Sequence, residues 1–501
     1  MDILANLALG FSIALTPQVL AYAFIGCLFG TLVGMLPGVG PLTGISLLLP
    51  VTYGLDATKA IVMLAGIYYG SQYGGSTTSI LMRIPGEAAS VMTCIDGYAM
   101  ARKGRAGAAL SISAVGSFFA GTVGTIIIVL FAEPLTRMAQ KFGPADYCSL
   151  MALGLVAAVV LANGSVAKAI AMVFLGLLFG LVGTDVNTGA QRFTFDIPEL
   201  SDGIDFAPIA MGLFGIAEIV VNLERRMERT GAIKVGSLWP TREEIRRSIP
   251  AVLRGTALGS ILGVLPGGGP TLGAFSAYTL EKKLSKHPEE FGKGAVEGVA
   301  APESANNAAA QTSFIPMLTL GIPSNAVMAL MVGAMIIQGI QPGPEVMTKK
   351  PDLFWGMIVS MWIGNLMLVI INLPMIGMWV KLLTLPYRFL APAILLFCCI
   401  GAYSLQNSTF HVIQVAMFGV LGYIFVRLGC EGAPFLLGLV LGPQMEEYFR
   451  RAMLLSRGDP MVFLQRPISL GLLITTALLL LLMALPSIKK AREEAFQEEE
   501  S

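Results

Sequence analysis

Long stretches without a charged residue constrain this chain more than any other feature. No Asp, Glu, Lys or Arg occurs between residues 3 and 55, and further uncharged runs cover residues 106–132, 304–344, 353–380 and 389–426. A helix that crosses a bilayer needs roughly 20 apolar residues, whereas a soluble core needs no uninterrupted run of this length. Charged residues make up 13% of the chain, about half the share usual in soluble proteins. The sequence therefore predicts an all-α polytopic membrane protein with about twelve transmembrane helices.

A proline–glycine block occurs twice within this apolar sequence. Residues 30–44 read GTLVGMLPGVGPLTG and residues 259–273 read GSILGVLPGGGPTLG, with eight of fifteen positions identical. Proline removes a backbone donor and breaks a helix, and glycine permits positive φ and a close approach of the backbone. We therefore expect broken or re-entrant helices at both blocks, with free amides and carbonyls facing a common binding site. The glycines of this predicted site are Gly38, Gly40, Gly267 and Gly269.

Other residue pairs repeat in the same order. Ile84-Pro85 recurs as Ile322-Pro323 at an offset of 238, close to the offset of 229 that relates the two glycine blocks. Small loop insertions produce such a slow drift, so we predict two structural repeats. The predicted organisation is a first transmembrane repeat at residues 1–222, a polar linker at 223–249, a second transmembrane repeat at 250–447, and a loop, a last transmembrane helix and a charged tail at 448–501.

The charges in equivalent loops favour repeats of opposite orientation. In the first half, Arg102, Lys103 and Arg105 follow the Ile-Pro pair, whereas in the second half a basic loop at residues 281–293 precedes it. By the positive-inside rule both loops lie on the cytoplasmic side, which inverts one half relative to the other. Basic residues also occur at the ends of both halves. By the same rule both ends would lie on the cytoplasmic side, which favours parallel repeats instead. We favour inversion because inverted repeats are common among transporters.

Two polar clusters interrupt the uncharged runs. Residues 76–79 place four hydroxyl side chains in a row, and Asn306-Asn307 form an adjacent amide pair. Polar groups at membrane depth must be satisfied by protein, water, an ion or a ligand. Hydrogen bonds between helices are the alternative for any single residue. Two clusters at corresponding places of the two halves nevertheless indicate a shared polar cavity.

Arg83 and Glu303 are the charged residues nearest to these clusters. Arg83 can bind a substrate carboxylate through its planar guanidinium group. Its alternatives are extension to the membrane interface or a pair with Glu87. Glu303 is expected to be either a cation ligand or a cap at the start of a helix beside Pro302.

These residues together form the predicted site. Those expected to bind an anionic substrate are Gly38, Gly40, Gly267, Gly269, Ser76, Thr77, Arg83, Asn306, Asn307 and Ser324. Those expected to bind a cation are Thr78, Ser79, Glu303 and Asn325. Their hard oxygen ligands favour sodium, whereas a proton would need a titrating carboxyl group such as Glu303. No metal or cofactor is expected beyond this transported sodium or proton.

Motifs of catalysis and of nucleotide binding are not found in the sequence. No Lys-Ser/Thr follows either glycine block, so neither is a phosphate-binding loop, and there is no HExxH or nucleophile elbow. The six cysteines lack zinc-site spacing, and no basic tract indicates a nucleic-acid partner. We therefore expect a transport protein and not an enzyme. The alternatives are a channel or an intramembrane enzyme that acts on a small acidic substrate.

The motif stretches resemble one known family. The twin LPGxGP blocks, SQYGGSTTSIL with RIPGE, and APESANNAAAQTSFIPMLTLGIPSNA are similar to the TctA family, the large membrane subunit of tripartite tricarboxylate transporters. The resemblance implies a binding-protein-dependent symporter of the bacterial inner membrane, which imports di- or tricarboxylates such as citrate with a cation gradient. It also implies two partners, a small membrane subunit with four spans and a periplasmic, extracytoplasmic substrate-binding protein.

Overall fold

The computed structural model describes residues 3–36, 40–139, 141–161, 165–185, 188–224, 235–265, 269–382 and 387–484. This part of the chain is helical apart from its loops and one short antiparallel hairpin, β1 (Gly183–Thr184) and β2 (Gln191–Arg192). The α-helices of the first half are α1 (Ile3–Ala14), α2 (Pro17–Met35), α3 (Gly40–Thr52), α4 (Ala57–Met82), α5 (Val91–Met100), α6 (Ala106–Ala139), α7 (Pro144–Leu161), α8 (Val166–Gly180), α9 (Phe206–Ala210) and α10 (Ala217–Glu224). Those that follow are α11 (Arg242–Val264), α12 (Gly269–Leu284), α13 (Glu297–Thr312), α14 (Phe314–Leu320), α15 (Ala326–Ile337), α16 (Pro344–Lys349), α17 (Pro351–Asn372), α18 (Ile376–Leu382), α19 (Tyr387–Gln406), α20 (Thr409–Arg427), α21 (Gly432–Leu455), α22 (Val462–Gln465) and α23 (Pro467–Ala484).

The helices agree with an all-α, multi-pass membrane protein but do not confirm the predicted number of spans. Within the described residues, five helical segments are long and apolar enough to cross a membrane: Pro17–Met35, Ala88–Met138, Phe206–Glu224, Pro351–Asn372 and Thr409–Arg427. Six further apolar segments are 10–17 residues long, which is short of the roughly 20 residues of a full span: Ile3–Ala14, Gly40–Thr52, Pro144–Val159, Val166–Gly180, Ala326–Ile337 and Pro467–Leu481. Glycine and proline end helices within the apolar runs. The number of apolar runs therefore does not give the number of full-length spans.

Glycines allow α2 to lie directly against α4. They recur every fourth residue on one face of α2, the spacing that lets two membrane helices approach closely. A Cβ added at any of them would lie 2.2–2.4 Å from a backbone carbonyl oxygen of α4. The facing pairs are Gly26 with Met63, Gly30 with Ile67, and Gly34 with Ser71.

The same arrangement joins α11 to α13 in the second half. Here too an added Cβ would lie 2.2–2.4 Å from a carbonyl oxygen of the partner helix. The facing pairs are Gly255 with Ala301, Gly259 with Ala305, and Gly263 with Ala309. The glycines are offset by 229 from those of α2 and the carbonyl partners by 238 from those of α4. These are the two offsets found in the sequence.

Backbone conformations recur at the same offset. The residue that follows α4 is Arg83, with φ 58°, and the residue that follows α14 is Gly321, with φ 76°. Four residues later, Glu87 and Asn325 are both extended, with φ of −152° and −154°. Two complete repeats, their inversion and the domain boundaries stay predictions. The helix α11 begins at Arg242, so the end of the segment predicted as a linker is helical.

A buried carboxylate holds the last helix in place. Asp146, near the start of α7, accepts a hydrogen bond from the Ser469 backbone N–H at 3.0 Å and pairs with Arg466 at 2.6 Å. The Ser149 and Ser469 hydroxyl oxygens are 2.7 Å apart. The helix α23, predicted to lie outside the two repeats, therefore packs on the first half.

Candidate functional site

The predicted polar clusters lie on two buried helices, α4 and α13. Residues 60–82 of α4 and residues 298–312 of α13 are all buried. Burial around the whole helix removes polar side chains from both lipid and water. Each of them must therefore find its partner in the protein or in a ligand.

The carboxyl group of Glu303 is the centre of one cluster. It projects from the middle of α13 and is 1% exposed. Its Oε2 accepts hydrogen bonds from the Ser76 hydroxyl of α4 at 2.5 Å and from the Ser113 hydroxyl of α6 at 3.1 Å, and its Oε1 accepts one from Thr93 of α5. Because Glu303 lies well inside α13, the alternative of a cap at the start of a helix is wrong. One side chain of the second half thus joins three helices of the first half.

The asparagine pair extends from this cluster in two directions. Asn307 donates from Nδ2 to Ser117 Oγ of α6 at 2.7 Å and to the Glu303 carbonyl oxygen at 3.1 Å. Asn306 donates from Nδ2 to the Glu87 carboxyl group at 3.4 Å. Asn307 therefore supports the backbone that carries Glu303, while Asn306 faces the segment that follows α4.

Several buried polar atoms on α4 and α13 have no hydrogen-bond partner among the described residues. They are Tyr68 Oη, Tyr69 Oη, Gln72 Oε1, Ser79 Oγ, Asn306 Oδ1 and Gln311 Oε1. The rings of Tyr68 and Tyr69 both pack against Phe314, with centroids 6.3 and 5.9 Å away. A buried polar atom left without a partner costs about 1–3 kcal/mol. A concentration of such atoms is expected where water or a ligand binds.

Gly40 and Gly269 begin α3 and α12 in the left-handed region, with φ of 57° and 64°. Glycine is the residue that adopts this conformation without strain. Among the described residues, a Cβ on Gly40 would meet only the Gly86 carbonyl oxygen, at 3.9 Å, and one on Gly269 would lie 3.3 Å from Asn325 Nδ2. Each of these helix starts therefore lies beside the segment that follows an Ile-Pro pair. Pro37, Gly38, Pro266 and Gly267, predicted to form the same breaks, lie outside the described residues.

The second of these segments is tied to the interruption between α13 and α14. Asn325 accepts a hydrogen bond from the Met328 backbone N–H at 3.0 Å and donates to Ser313 Oγ at 3.2 Å. Ser324 donates to the Ser313 carbonyl oxygen at 3.4 Å. Because Ser313 lies between the two helices, Ser324 and Asn325 connect the break at Gly269 to the end of α13. The side-chain oxygen of Asn325, a predicted cation ligand, is used as a helix cap.

The remaining predicted residues stand apart from these clusters. Thr77 donates to the Tyr73 carbonyl oxygen at 3.2 Å and Thr78 to the Gly75 carbonyl oxygen at 3.0 Å, both within α4. Arg83 is exposed, and across the described ranges it forms no ion pair with Glu87 or with any other carboxylate. The structure thus brings Ser76 to Glu303 and Gly269 to Asn325. It does not bring Arg83, Thr77 or Thr78 to either group.

Asp96 is a buried carboxylate that sequence reasoning missed. It is the only charged residue between Glu87 and Arg102, a signal that could have singled it out. Its Oδ1 accepts hydrogen bonds from three backbone N–H groups of residues 292–295 at 2.7–2.9 Å, and its Oδ2 accepts one from the Tyr278 hydroxyl at 2.9 Å. Asp96 therefore fixes the loop that leads into α13.

The fold and these clusters define a class of protein. Apolar helices that begin at left-handed glycines, beside buried polar atoms in need of partners, are typical of membrane transporters. Residues 20–437 match the tripartite tricarboxylate transporter TctA family. The chain belongs to this family and is a component of a tripartite tricarboxylate transporter, as its sequence motifs predicted.

Two uncharacterised proteins of Agrobacterium vitis are similar to this chain. The 52.8 kDa protein in the TAR-I ttuC' 3' region is 56% identical over 501 residues, which is the full length of both chains. The protein in the TAR-II ttuC' 3' region is 61% identical over 242 residues, which cover 48% of this chain and all of that relative. No solved structure matches the chain.

Proposed function

We propose that this chain is the large permease subunit of a binding-protein-dependent secondary transporter that imports citrate-like di- or tricarboxylates across the bacterial inner membrane. Its proposed partners are a small membrane subunit with four spans and a periplasmic protein that delivers the substrate. Transport is coupled to the gradient of a sodium ion or a proton. Membership of the TctA family supports both the substrate class and the presence of further subunits.

The observation that carries this proposal is the pair of helix starts at Gly40 and Gly269. Each begins a helix in a left-handed conformation beside the segment after an Ile-Pro pair. The first amides of a helix have no partner within it, and the positive end of the helix dipole attracts anions. Two such ends, one in each half, give a substrate with two or three carboxylates two binding points. Gly38 and Gly267 belong to the same proposed site.

The side chains near the helix starts supply the remaining contacts. The unpartnered Asn306 Oδ1 can accept a hydrogen bond from a substrate hydroxyl, such as that of citrate. Ser324 stands next to Asn325 at the second helix start, where its hydroxyl can turn to a carboxylate oxygen. Ser76, Thr77 and Asn307 line the proposed path between the two halves.

Arg83 is the proposed guanidinium ligand of the substrate. Its left-handed backbone costs a residue other than glycine about 1 kcal/mol, and its counterpart at the same offset is Gly321. Strained backbone of this kind is retained at functional sites when the residue itself is needed. Because Arg83 is exposed and free of ion pairs within the described ranges, a carboxylate can reach it without breaking an existing pair.

Movement of one half against the other is the proposed route to alternating access. The helix α13 of the second half packs on α4, α5 and α6 of the first half. Within each half, glycines hold α2 to α4 and α11 to α13, so each pair moves as one body. Rocking about a fixed central site is the usual behaviour of transporters built from inverted repeats.

The charge of the substrate makes coupling necessary. An inside-negative potential opposes each negative charge by about 2.3 kcal/mol per 100 mV. Two or three carboxylates therefore need at least as many co-transported cations before they can accumulate. A channel lacks this coupling, and an intramembrane enzyme needs an acid–base or nucleophile pair that the partners of Glu303 do not provide.

The test is uptake by the complete three-component complex in proteoliposomes. Radiolabelled citrate and succinate should enter with saturable kinetics, only when the binding protein is present and only with an imposed cation gradient. Gly269→Ala should abolish uptake. Gly471→Ala is the matched control, because a Cβ at Gly471 meets no atom of the described residues within 4 Å. Flux that is not saturable, or that needs no binding protein, would contradict the proposal.

A further inference from the structure

The binding partners of Glu303 set it apart from the other buried carboxylates. Its three hydrogen-bond donors are the hydroxyls of Ser76, Thr93 and Ser113. In the described part of the chain no Arg or Lys pairs with it and no backbone N–H binds it. A carboxyl group held by rotatable hydroxyls can exchange a proton without breaking a fixed ion pair.

The hydroxyl of Ser76 has one proton and two acceptors within reach. Its Oγ lies 2.9 Å from the Gln72 carbonyl oxygen and 2.5 Å from Glu303 Oε2. If Glu303 is ionised, Ser76 donates to Oε2. If Glu303 carries a proton on Oε2, the carboxyl group donates to Ser76 Oγ and Ser76 donates to the Gln72 carbonyl. Rotation of one O–H bond satisfies either state, and no heavy atom has to move.

We propose that Glu303 binds one of the coupling ions of this transporter, and that this ion is a proton. The proposal rests on the proposed function, because a coupling ion presupposes coupled transport. It departs from the sodium ion that the sequence favoured.

Asp96 is a buried carboxylate of the same protein with a different set of partners. Three backbone N–H groups and one tyrosine hydroxyl donate to it. Backbone donors cannot turn into acceptors, so a proton on Oδ1 of Asp96 would face three N–H groups. Glu303 has no such donors among the residues described, and its hydroxyl partners fit both protonation states.

The geometry around Glu303 does not suit a sodium ion. Hard cations of similar size are bound by six to eight oxygens at about 2.3–2.6 Å, as calcium is. The Ser76 and Ser113 hydroxyls instead contact Glu303 Oε2 directly, at 2.5 and 3.1 Å, with no room between the oxygens for an ion. The other predicted cation ligands are used elsewhere, since Thr78 bonds its own helix and Asn325 caps α15.

The ionisable groups that face Glu303 come from three of the elements packed around α13. They are Tyr73 of α4, Glu87 before α5, and Cys94 of α5. On α11, Arg247 pairs with Glu290 and Glu297, and Arg254 pairs with Glu281. The helix α12 contributes Tyr278, which binds Asp96, and α6 contributes hydroxyls. None of these groups supplies a positive charge at Glu303, so the proton itself is the cation that this site can hold.

The transport step is a simple proton transfer. Glu303 Oε2 forms an O–H bond with a proton from water on the outer side, and that bond breaks when the proton returns to water on the inner side. No other covalent bond changes. Asn307, which binds the Glu303 carbonyl oxygen, and Asn306, with its unpartnered Oδ1, lie one turn further along α13. The proton site and the proposed substrate contacts are thus on one helix.

The experiment uses the complete complex in proteoliposomes with citrate as the probe. A pH gradient, acid outside, should drive accumulation by the wild-type protein without sodium, and a pH-sensitive dye inside the vesicles should report proton entry with the substrate. Glu303→Gln should lose at least nine-tenths of pH-driven accumulation but keep citrate exchange between equal concentrations, because exchange needs no net proton movement. Asp96→Asn is the matched control and should keep pH-driven uptake per folded molecule. Uptake that requires sodium, or pH-driven accumulation by Glu303→Gln, would overturn the proposal.

A second measurement does not depend on transport. Infrared difference spectra of the purified full chain, recorded across a pH titration, should contain the C=O band of a protonated carboxyl group that Glu303→Gln removes and Asp96→Asn retains. In Ser76→Ala this band should move, because the hydrogen bond to Ser76 is lost. If the wild-type complex moves no carboxylate but the band behaves in this way, the proposed function fails and the proton site stands. A band that is unchanged in Glu303→Gln or unmoved in Ser76→Ala would refute the proton site itself.

Discussion

Gly34 and Gly40 lie six residues apart, and alanine at the two positions should have different effects: loss of folded protein at Gly34, and loss of transport in a folded protein at Gly40. A Cβ at Gly34 would lie 2.2 Å from the Ser71 carbonyl oxygen, where an ordinary carbon–oxygen contact needs about 3.3 Å. The helices α2 and α4 must then separate by about 1 Å along their whole glycine face, and such overpacking costs about 3 kcal/mol or more. At Gly40 the nearest atom in the described part of the chain is 3.9 Å from the added Cβ, so the penalty comes from the left-handed conformation and amounts to about 1–2 kcal/mol.

The second half of the chain repeats this contrast and gives an internal replicate. A Cβ at Gly263 would lie 2.4 Å from the Ala309 carbonyl oxygen, whereas one at Gly269 would lie 3.3 Å from a side-chain atom of Asn325. Gly263→Ala should therefore behave like Gly34→Ala, and Gly269→Ala like Gly40→Ala. The same result in both halves would show that the effect of each substitution comes from the repeated helix arrangement and not from one particular position.

Two measurements on each variant decide the matter. Detergent-solubilised protein should be assayed for a monodisperse elution profile and for apparent Tm, and reconstituted complexes for citrate uptake. The Gly34 and Gly263 variants should yield little folded protein. The Gly40 and Gly269 variants should keep an apparent Tm within a few degrees of wild type and should fail to transport. Normal uptake by Gly40→Ala and Gly269→Ala would show that these helix starts do not bind the substrate. A Tm loss as large as that of Gly34→Ala would show that they serve packing alone.

Three further predictions concern charged residues. Asp96→Asn should lower the free energy of unfolding by about 2 kcal/mol or more, because backbone hydrogen bonds to a charged acceptor are lost. The KM for citrate should stay within twofold of wild type. Thermal unfolding checks the first part and uptake kinetics the second. Arg83→Gly should leave the apparent Tm unchanged or slightly raised, because the strain of the left-handed backbone is relieved. It should raise the KM for citrate at least tenfold. An unchanged KM would exclude Arg83 as a substrate ligand. Arg466→Ala should accelerate limited proteolysis of the loop before α23, because that helix loses its pair with Asp146, while uptake is retained.

The features that follow from local backbone chemistry could be predicted from the sequence. Gly40 and Gly269 adopt positive φ at the first position of a helix, as a Pro-Gly-x-Gly-Pro sequence suggests. The offsets of 229 and 238 reappear in the contacts of α2 with α4 and of α11 with α13. Local sequence determines these features because a missing donor or a missing Cβ acts on its own residue and its immediate neighbours.

The partners of Glu303 could not be predicted in the same way. Thr93 and Ser113 stand in apolar sequence and lie 210 and 190 residues from Glu303. A single hydroxyl in a membrane helix can bond its own backbone, so it carries no local signal of a distant partner. The side chains of these residues acquire a role only when three helices of one half meet one helix of the other.

The correspondence between the two polar clusters was predicted too simply. The offset of 238 that relates α4 to α13 makes Asn306 equivalent to Tyr68, and Phe314 equivalent to Ser76, in the two repeats. The hydroxyl run and the asparagine pair are therefore not equivalent positions of two repeats. Ser76 nevertheless meets Glu303, because neighbouring helices bring residues of different register together. Sequence order alone does not contain this information.

The Glu303 cluster also has a consequence for how the protein is made. Ser113 is synthesised 190 residues before Glu303, which at about 5–20 residues per second is an interval of about 10–40 s. The helices α2 and α4 can pair in the bilayer early in this interval, since both are complete by residue 82. Until the ribosome reaches α13, the hydroxyl of Ser76 has the Gln72 carbonyl of its own helix as its acceptor. A nascent chain that stops before residue 303 therefore carries an internally bonded first half but still lacks the carboxylate that we propose binds the proton.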